Sequence, residues 1–261
     1  MNGTTVLLHQ ASAEGVATLT LAQPRRGNAL SEALVEQLMA AVDGAAADAS
    51  VHTLVLRGES PHFCTGFDLG ADTDTTQGGG APRDGPLLWR FARIEQLLSL
   101  VWHAPLRTVA VAQGRAWGAG ADLFAACDLR YAAPGTEWRF PGAGFGLVLG
   151  TRRLAQVVGS QAALDWVGHG RRIGCDEALA RGFVTAVLPG ADDGGPAPPP
   201  PLAVDRATYA RLKAASRPDR RDADLAALVQ SACQPGLAAR VQAYRSRRPG
   251  APRPSGELSD Q

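Results

Sequence analysis

The stretch Gly114-Arg115-Ala116-Trp117-Gly118-Ala119-Gly120-Ala121-Asp122-Leu123 joins an apolar run at 108–112 (TVAVA) to a short helical pattern at 121–127. Upstream, Phe63-Cys64-Thr65-Gly66-Phe67-Asp68-Leu69 follows another apolar run, 53–57 (TLVLR), in the same way. Glycine tolerates the backbone conformations of such bends, and the bends expose backbone N–H groups. Where a helix begins, the first N–H groups have no acceptor in the helix and the dipole favours negative charge. Two such turns facing one another would hold an oxyanion between their amides.

Working outward from these turns, strand, loop and helix alternate along the chain. Val6–His9 and Val16–Leu21 read as a hairpin turning at Glu14-Gly15, the second strand alternating as VATLTL. A first helix begins with Ser31 as its N-cap, its apolar residues Ala33, Leu34, Leu38, Ala41 and Val42 recurring at helical spacing toward Gly44. A glycine-, threonine- and aspartate-rich stretch at 70–85 predicts a mobile loop, and 86–103 returns to helix. Residues 114–120 read as a bend, 129–132, 137–140 and 184–188 as strands, and 151–158, 160–168 and 175–181 as helices. The alternation predicts a layered α/β fold. Residues 1–189 form the core on this reading, 190–201 (GADDGGPAPPPP) a linker that ends stiff and extended, 202–248 a region of two or three Ala/Leu/Arg helices, and 249–261 a flexible tail.

Charge excludes some functions. Lys and Arg total 26 against 25 Asp and Glu, a net +1, so neither nucleic acid nor an anionic membrane is implied as partner. Lys213 is the single lysine, which leaves little room for Schiff-base chemistry. Cys64, Cys127, Cys175 and Cys233 form no Cys-x-x-Cys pair and the five histidines no His-x-x-x-His, so no structural zinc site is expected. MNGTTVLLHQ at the start has no basic n-region, and every apolar stretch breaks off before the length of a membrane span, so the reading is cytoplasmic. Neither Gly118-x-Gly120 nor Gly142-x-Gly144 completes a dinucleotide fingerprint, and no Gly-x-Ser-x-Gly elbow or phosphate loop occurs.

Taken together with PRRGNALS at 24–31, RRIGCDEALARGFVTAVLP at 171–189 and AYRSRRP at 243–249, the two turns resemble those of the enoyl-CoA hydratase/isomerase, or crotonase, family. The resemblance implies a spiral of repeated ββα units with a C-terminal helical region, assembled as a homotrimer or hexamer. It implies an acyl-CoA substrate, with coenzyme A arriving as part of the thioester and no tightly bound cofactor, and stabilisation of a thioester enolate. Carried over by position, the backbone N–H groups of Phe67 and Ala119 would donate to the thioester oxygen. Arg25, Arg26, Ala29, Asp68 and Leu69 would meet coenzyme A, the arginines through the planar donor fork that suits phosphate. Arg247 and Arg248 match a basic pair in the family's last helix.

The pattern also departs from the family. Hydratases use two glutamates to place water and move a proton. The first falls here at Asp122, one methylene shorter, where the start of a helix would favour the ionised form. The second follows the proline of Phe-x-x-Pro-Glu, and Trp138-Arg139-Phe140-Pro141 is followed by Gly142. Asp72, Asp74, His62, His103 and Glu137 are other proton carriers in the chain, none at a family position, and Cys64 reads as a small apolar thiol. Three readings stay open: an acyl-CoA lyase or isomerase with Asp122 as acid/base, a thioester-binding protein without hydratase turnover, and a thioester hydrolase or decarboxylase on the same scaffold.

Overall fold

The computed structural model describes residues 6–9, 15–69, 84–189 and 200–247. Its strands are β1 (Val6–His9), β2 (Val16–Leu21), β3 (Thr53–Gly58), β4 (Arg107–Ala112), β5 (Arg115–Trp117), β6 (Leu129–Ala132), β7 (Glu137–Arg139) and β8 (Ala186–Val187). One sheet runs β1-β2-β3-β4-β6-β8, antiparallel in the opening hairpin and parallel from β2 onward, and β5 pairs with β7 in a second. All six residues of β4 are buried, as a central parallel strand covered on both faces requires.

The helices are α1 (Glu32–Ala47), α2 (Asp84–His103), α3 (Ala119–Ala126), α4 (Thr151–Val158), α5 (Ser160–His169), α6 (Cys175–Ala180), α7 (Arg206–Ser216), α8 (Arg221–Ala232) and α9 (Leu237–Ser246). Ser31 caps α1 by accepting from the Leu34 amide at 3.2 Å. Leu34, Leu38 and Val42 then line one helix face, each fully buried and each contributing about 1.5–3 kcal/mol.

The spiral is visible in how each turn of chain leaves the large sheet and touches a second layer before entering its helix. Bridges Leu30–Phe67, Cys64–Ala116 and Trp138–Ile173 extend the β5–β7 pair into that layer. Beneath it Phe124, Trp138 and Phe183 pack with ring centroids 5.3–5.7 Å apart. At the C-terminal end, Leu228, Leu237 and Val241 of α8 and α9 bury against Leu87 and Phe91 of α2 and against Phe145. The Asp84 carboxylate accepts from the amides of Gly236 (3.0 Å) and Ala238 (2.8 Å), tying the starts of α2 and α9 together.

Several expected bounds shift. Residues 114–120 contain a short strand, β5, because Ala116 pairs with Trp138 across the layer. The helix expected at 121–127 begins two residues earlier, at Ala119, and the strand expected at 184–188 shrinks to β8. The predicted mobile loop falls mostly on 70–83, and the linker on 190–199, both outside the described residues, as does the tail. Lys213 is buried at the base of α7, where its Nζ donates to Asp128 Oδ2 (3.0 Å) and the Leu106 carbonyl (3.2 Å).

Candidate active site

Both glycine turns meet at one pocket of about 260 Å³, lined largely by apolar side chains, among them Phe67, Phe91, Phe140, Phe145, Leu147 and Val167. Their close approach demands glycine. Gly66 has φ +89°, and a Cβ there would lie 2.4 Å from the Trp117 carbonyl oxygen and 3.2 Å from the Ala119 amide nitrogen. Asn28, fully buried with φ +53°, fastens the surrounding loops by donating from Nδ2 to the carbonyls of Glu59 (2.9 Å) and His62 (2.7 Å). This anchor is one that the sequence reading did not single out; its signal was an Asn among turn residues in Arg26-Gly27-Asn28.

The two amides at issue are free to donate. Leu30 gives its N–H to the Gly66 carbonyl (2.7 Å) and accepts from Asp68 (3.3 Å), so Phe67 between them turns its own N–H away from Leu30. Ala119 is the first residue of α3, where the helix supplies no acceptor. Among the described residues neither N–H makes a hydrogen bond. The Phe67 side chain both lines the pocket and packs, stacking on Phe91 at 4.3 Å under the Arg90 guanidinium at 4.2 Å.

Asp122 lies one helical turn into α3 and also lines the pocket. Its Oδ1 is buried without a partner, and a Cβ on Gly150 would lie 2.2 Å from that oxygen, so only a glycine fits against the carboxyl. The preference for the ionised form expected from the helix start is opposed here. Burial pushes the Asp122 carboxyl well above its ordinary 3.8; Arg153 pulls the other way and Glu95 adds to the rise. Desolvation exceeds the helix dipole because the group is 5% exposed. Behind it Arg153 is ion-paired to Glu95 and, at 3.2 Å, to Asp224, which also holds Arg152 at 2.6 Å.

Of the residues expected to meet coenzyme A, Arg26, Ala29, Asp68 and Leu69 line the pocket. Arg26 pairs with the buried Asp68 carboxylate at 2.5 Å. Arg25 is exposed and outside the lining, because Pro24–Arg26 forms a single tight turn that sends successive side chains in different directions. Arg247 caps α9 and Arg248 lies outside the described residues. Gly142 does line the wall and brings no carboxylate.

The other proton carriers stand elsewhere. His62 accepts from the Arg115 amide through Nδ1 at 3.3 Å, with its pKa lowered by burial and by Arg115. His103 borders a separate cleft between α1, α2 and α8, and Glu137 pairs with Arg172 at 3.7 Å. Asp72 and Asp74 lie outside the described residues. Cys64 is fully buried and its thiol is pushed up to about 12, which removes it as a nucleophile. Trp117, Arg139 and Tyr244 line the pocket without having been expected there.

A spiral α/β fold thus brings both glycine turns and the buried Asp122 carboxyl to one pocket, and the fold can be set beside known proteins. The family model described as Enoyl-CoA hydratase/isomerase matches residues 11–193, and the chain belongs to that family. It is similar to a Bordetella parapertussis protein assigned to the enoyl-CoA hydratases/isomerases, with a TM-score of 0.84 and 40% identity, over 95% of this chain and 100% of that one. It is 34% identical to "Probable enoyl-CoA hydratase echA6" of Mycobacterium leprae over 67% of this chain and 68% of that protein. It is 31% identical to the ethylmalonyl-CoA decarboxylase of Bos taurus over 69% of this chain, a stretch spanning 58% of the bovine protein.

Proposed function

We propose that this chain moves a proton at the α carbon of an acyl-CoA thioester through an enolate, as an isomerase or lyase using a single carboxyl group. The thioester oxygen accepts from the N–H groups of Phe67 and Ala119, each of a kind whose loss costs about 2.7–4 kcal/mol in enzymes that rely on it. Coenzyme A enters with the substrate past Arg26, Ala29, Asp68 and Leu69. The observation that carries the reading is Asp122: a buried, unpaired carboxyl in a pocket whose other family carboxylate position is Gly142. Adding water across an enoyl bond calls for groups at both the α and β carbons. Shifting a double bond requires only one, which takes the α proton as carboxylate and returns it at the γ carbon.

A second reading, decarboxylation, is favoured by the raised proton affinity of Asp122. The bond from the α carbon to a carboxylate breaks, carbon dioxide leaves, the electron pair becomes the enolate, and neutral Asp122 protonates the α carbon. This route needs an acid and no base. The two readings differ in pH dependence: isomerisation rises with pH as Asp122 ionises, whereas decarboxylation falls.

The deciding assay offers the enzyme a 3-enoyl-CoA, crotonyl-CoA and a 2-carboxyacyl-CoA across pH, with product identified by mass. Conversion of either first or last substrate, abolished in Asp122→Asn, is the expected result. Binding of all three with no conversion and no solvent deuterium at the α carbon would leave a thioester-binding role instead. We also propose a homotrimer or hexamer, as the family resemblance implies; a sedimentation profile showing only monomer at micromolar concentration would defeat it.

A further inference from the structure

One wall of the pocket carries charge that enolate chemistry does not use. In the β5–β7 pair Arg115 lies opposite Glu137 and Trp117 opposite Arg139. Period-two alternation sends these four side chains to one face, while Ala116 and Trp138 turn inward with 0% exposure. Trp117 and Arg139 both line the pocket. The Arg139 side chain is fixed by Nε, which donates to the Gly170 carbonyl at 2.5 Å, and its terminal nitrogens have no partner among the described residues. The Trp117 indole N–H is likewise buried without an acceptor. Its ring stands beside two further guanidinium groups, Arg115 at 4.7 Å and Arg172 at 5.7 Å. Glu137 is paired with Arg172, so three arginines face one carboxylate and the strip is cationic.

Elsewhere in the pocket Arg26 is matched by Asp68, and Asp122 belongs to the proton transfer. A guanidinium fork and an indole N–H offer donors alone, which suits a carboxylate. Their position says which anion. The Arg139 carbonyl accepts from Gly118 at 2.7 Å, and Gly118 precedes Ala119, so the wall stands beside the amide that holds the thioester oxygen. The phosphates of coenzyme A lie at the far end of the pantetheine arm. The nearest anion is therefore on the acyl group.

We propose that Arg139, with Trp117, selects thioesters whose acyl chain itself carries a carboxylate, the monothioesters of dicarboxylic acids. This rests on the acyl-CoA reading above. The experiment is equilibrium binding of wild type, Arg139→Gln and Arg139→Lys to length-matched pairs, glutaryl-CoA with valeryl-CoA and succinyl-CoA with butyryl-CoA, and to free coenzyme A. The carboxylated member of each pair should bind wild type about tenfold tighter or more. Arg139→Gln should erase that preference while leaving valeryl-CoA and free coenzyme A unchanged, and Arg139→Lys should restore part of it. Equal affinity for the two members on wild type would overturn the proposal. So would a loss in Arg139→Gln that falls equally on free coenzyme A, since Arg139 would then serve the nucleotide phosphates. Asp122→Asn separates the two readings: it tests turnover and should leave the binding preference intact.

Discussion

Burial raises the proton affinity of Asp122 against the pull of its place at a helix start. Its folded pKa lies above the unfolded one, so the neutral carboxyl stabilises the fold fully below about pH 3.8 and that contribution is lost as pH rises through the raised value. Asp122→Asn removes this dependence. Urea midpoints at pH 5 and pH 8 should therefore show wild type losing stability relative to the variant on going to the higher pH; parallel behaviour would mean that the carboxyl is ionised throughout. In catalysis the same substitution should abolish turnover with thioester affinity nearly intact, measured by calorimetry beside the rate assay.

The pocket is made by turns more than by helices. Gly66→Ala would force a Cβ against the Trp117 carbonyl and displace the Phe67 amide, so kcat should fall by about 10²–10³. Single-turnover kinetics will separate this from weakened binding. Gly142 sits where the wall has room: a Cβ there meets only the Leu147 carbonyl oxygen at 3.8 Å and the Leu147 Cβ at 4.0 Å. Gly142→Glu should consequently fold, and should gain crotonyl-CoA hydration above the wild-type rate if the missing second carboxylate is what limits it. Loss of the enoyl-thioester absorbance is the readout.

Across the whole molecule, the C-terminal helices are fastened to the core by buried charge as well as apolar packing. Asp128 pairs with Lys213 at 3.0 Å and with Arg217 at 2.7 Å, and Arg217 also lies 3.8 Å over the Trp102 ring. Asp128→Asn leaves two cations uncompensated and should cost about 3–5 kcal/mol. Thermal melting should fall by about 2–4 °C for each kcal/mol lost. The cluster lies away from the pocket, so activity at low temperature should survive.

Local pattern determined much of this protein. Ser31 before an apolar helical repeat marked α1, and apolar runs ending in glycine marked β3, β4 and the two glycine turns, because these signals arise between residues near in sequence. The bulk of the pocket lining expected from sequence, Phe67, Ala119, Asp122, Arg26, Ala29, Asp68 and Leu69, comes together in one place. Tertiary structure decided what depends on distant neighbours. It removed Arg25 from the lining through the direction of one turn and put Trp117 beside Arg139 through pairing of short strands. It also raised the proton affinity of Asp122, since the burial against Gly150 and the nearby Glu95 that cause it come from chain segments far from it in sequence. A helix dipole can be read from a few residues; a desolvation penalty exists only once the fold has closed over the group.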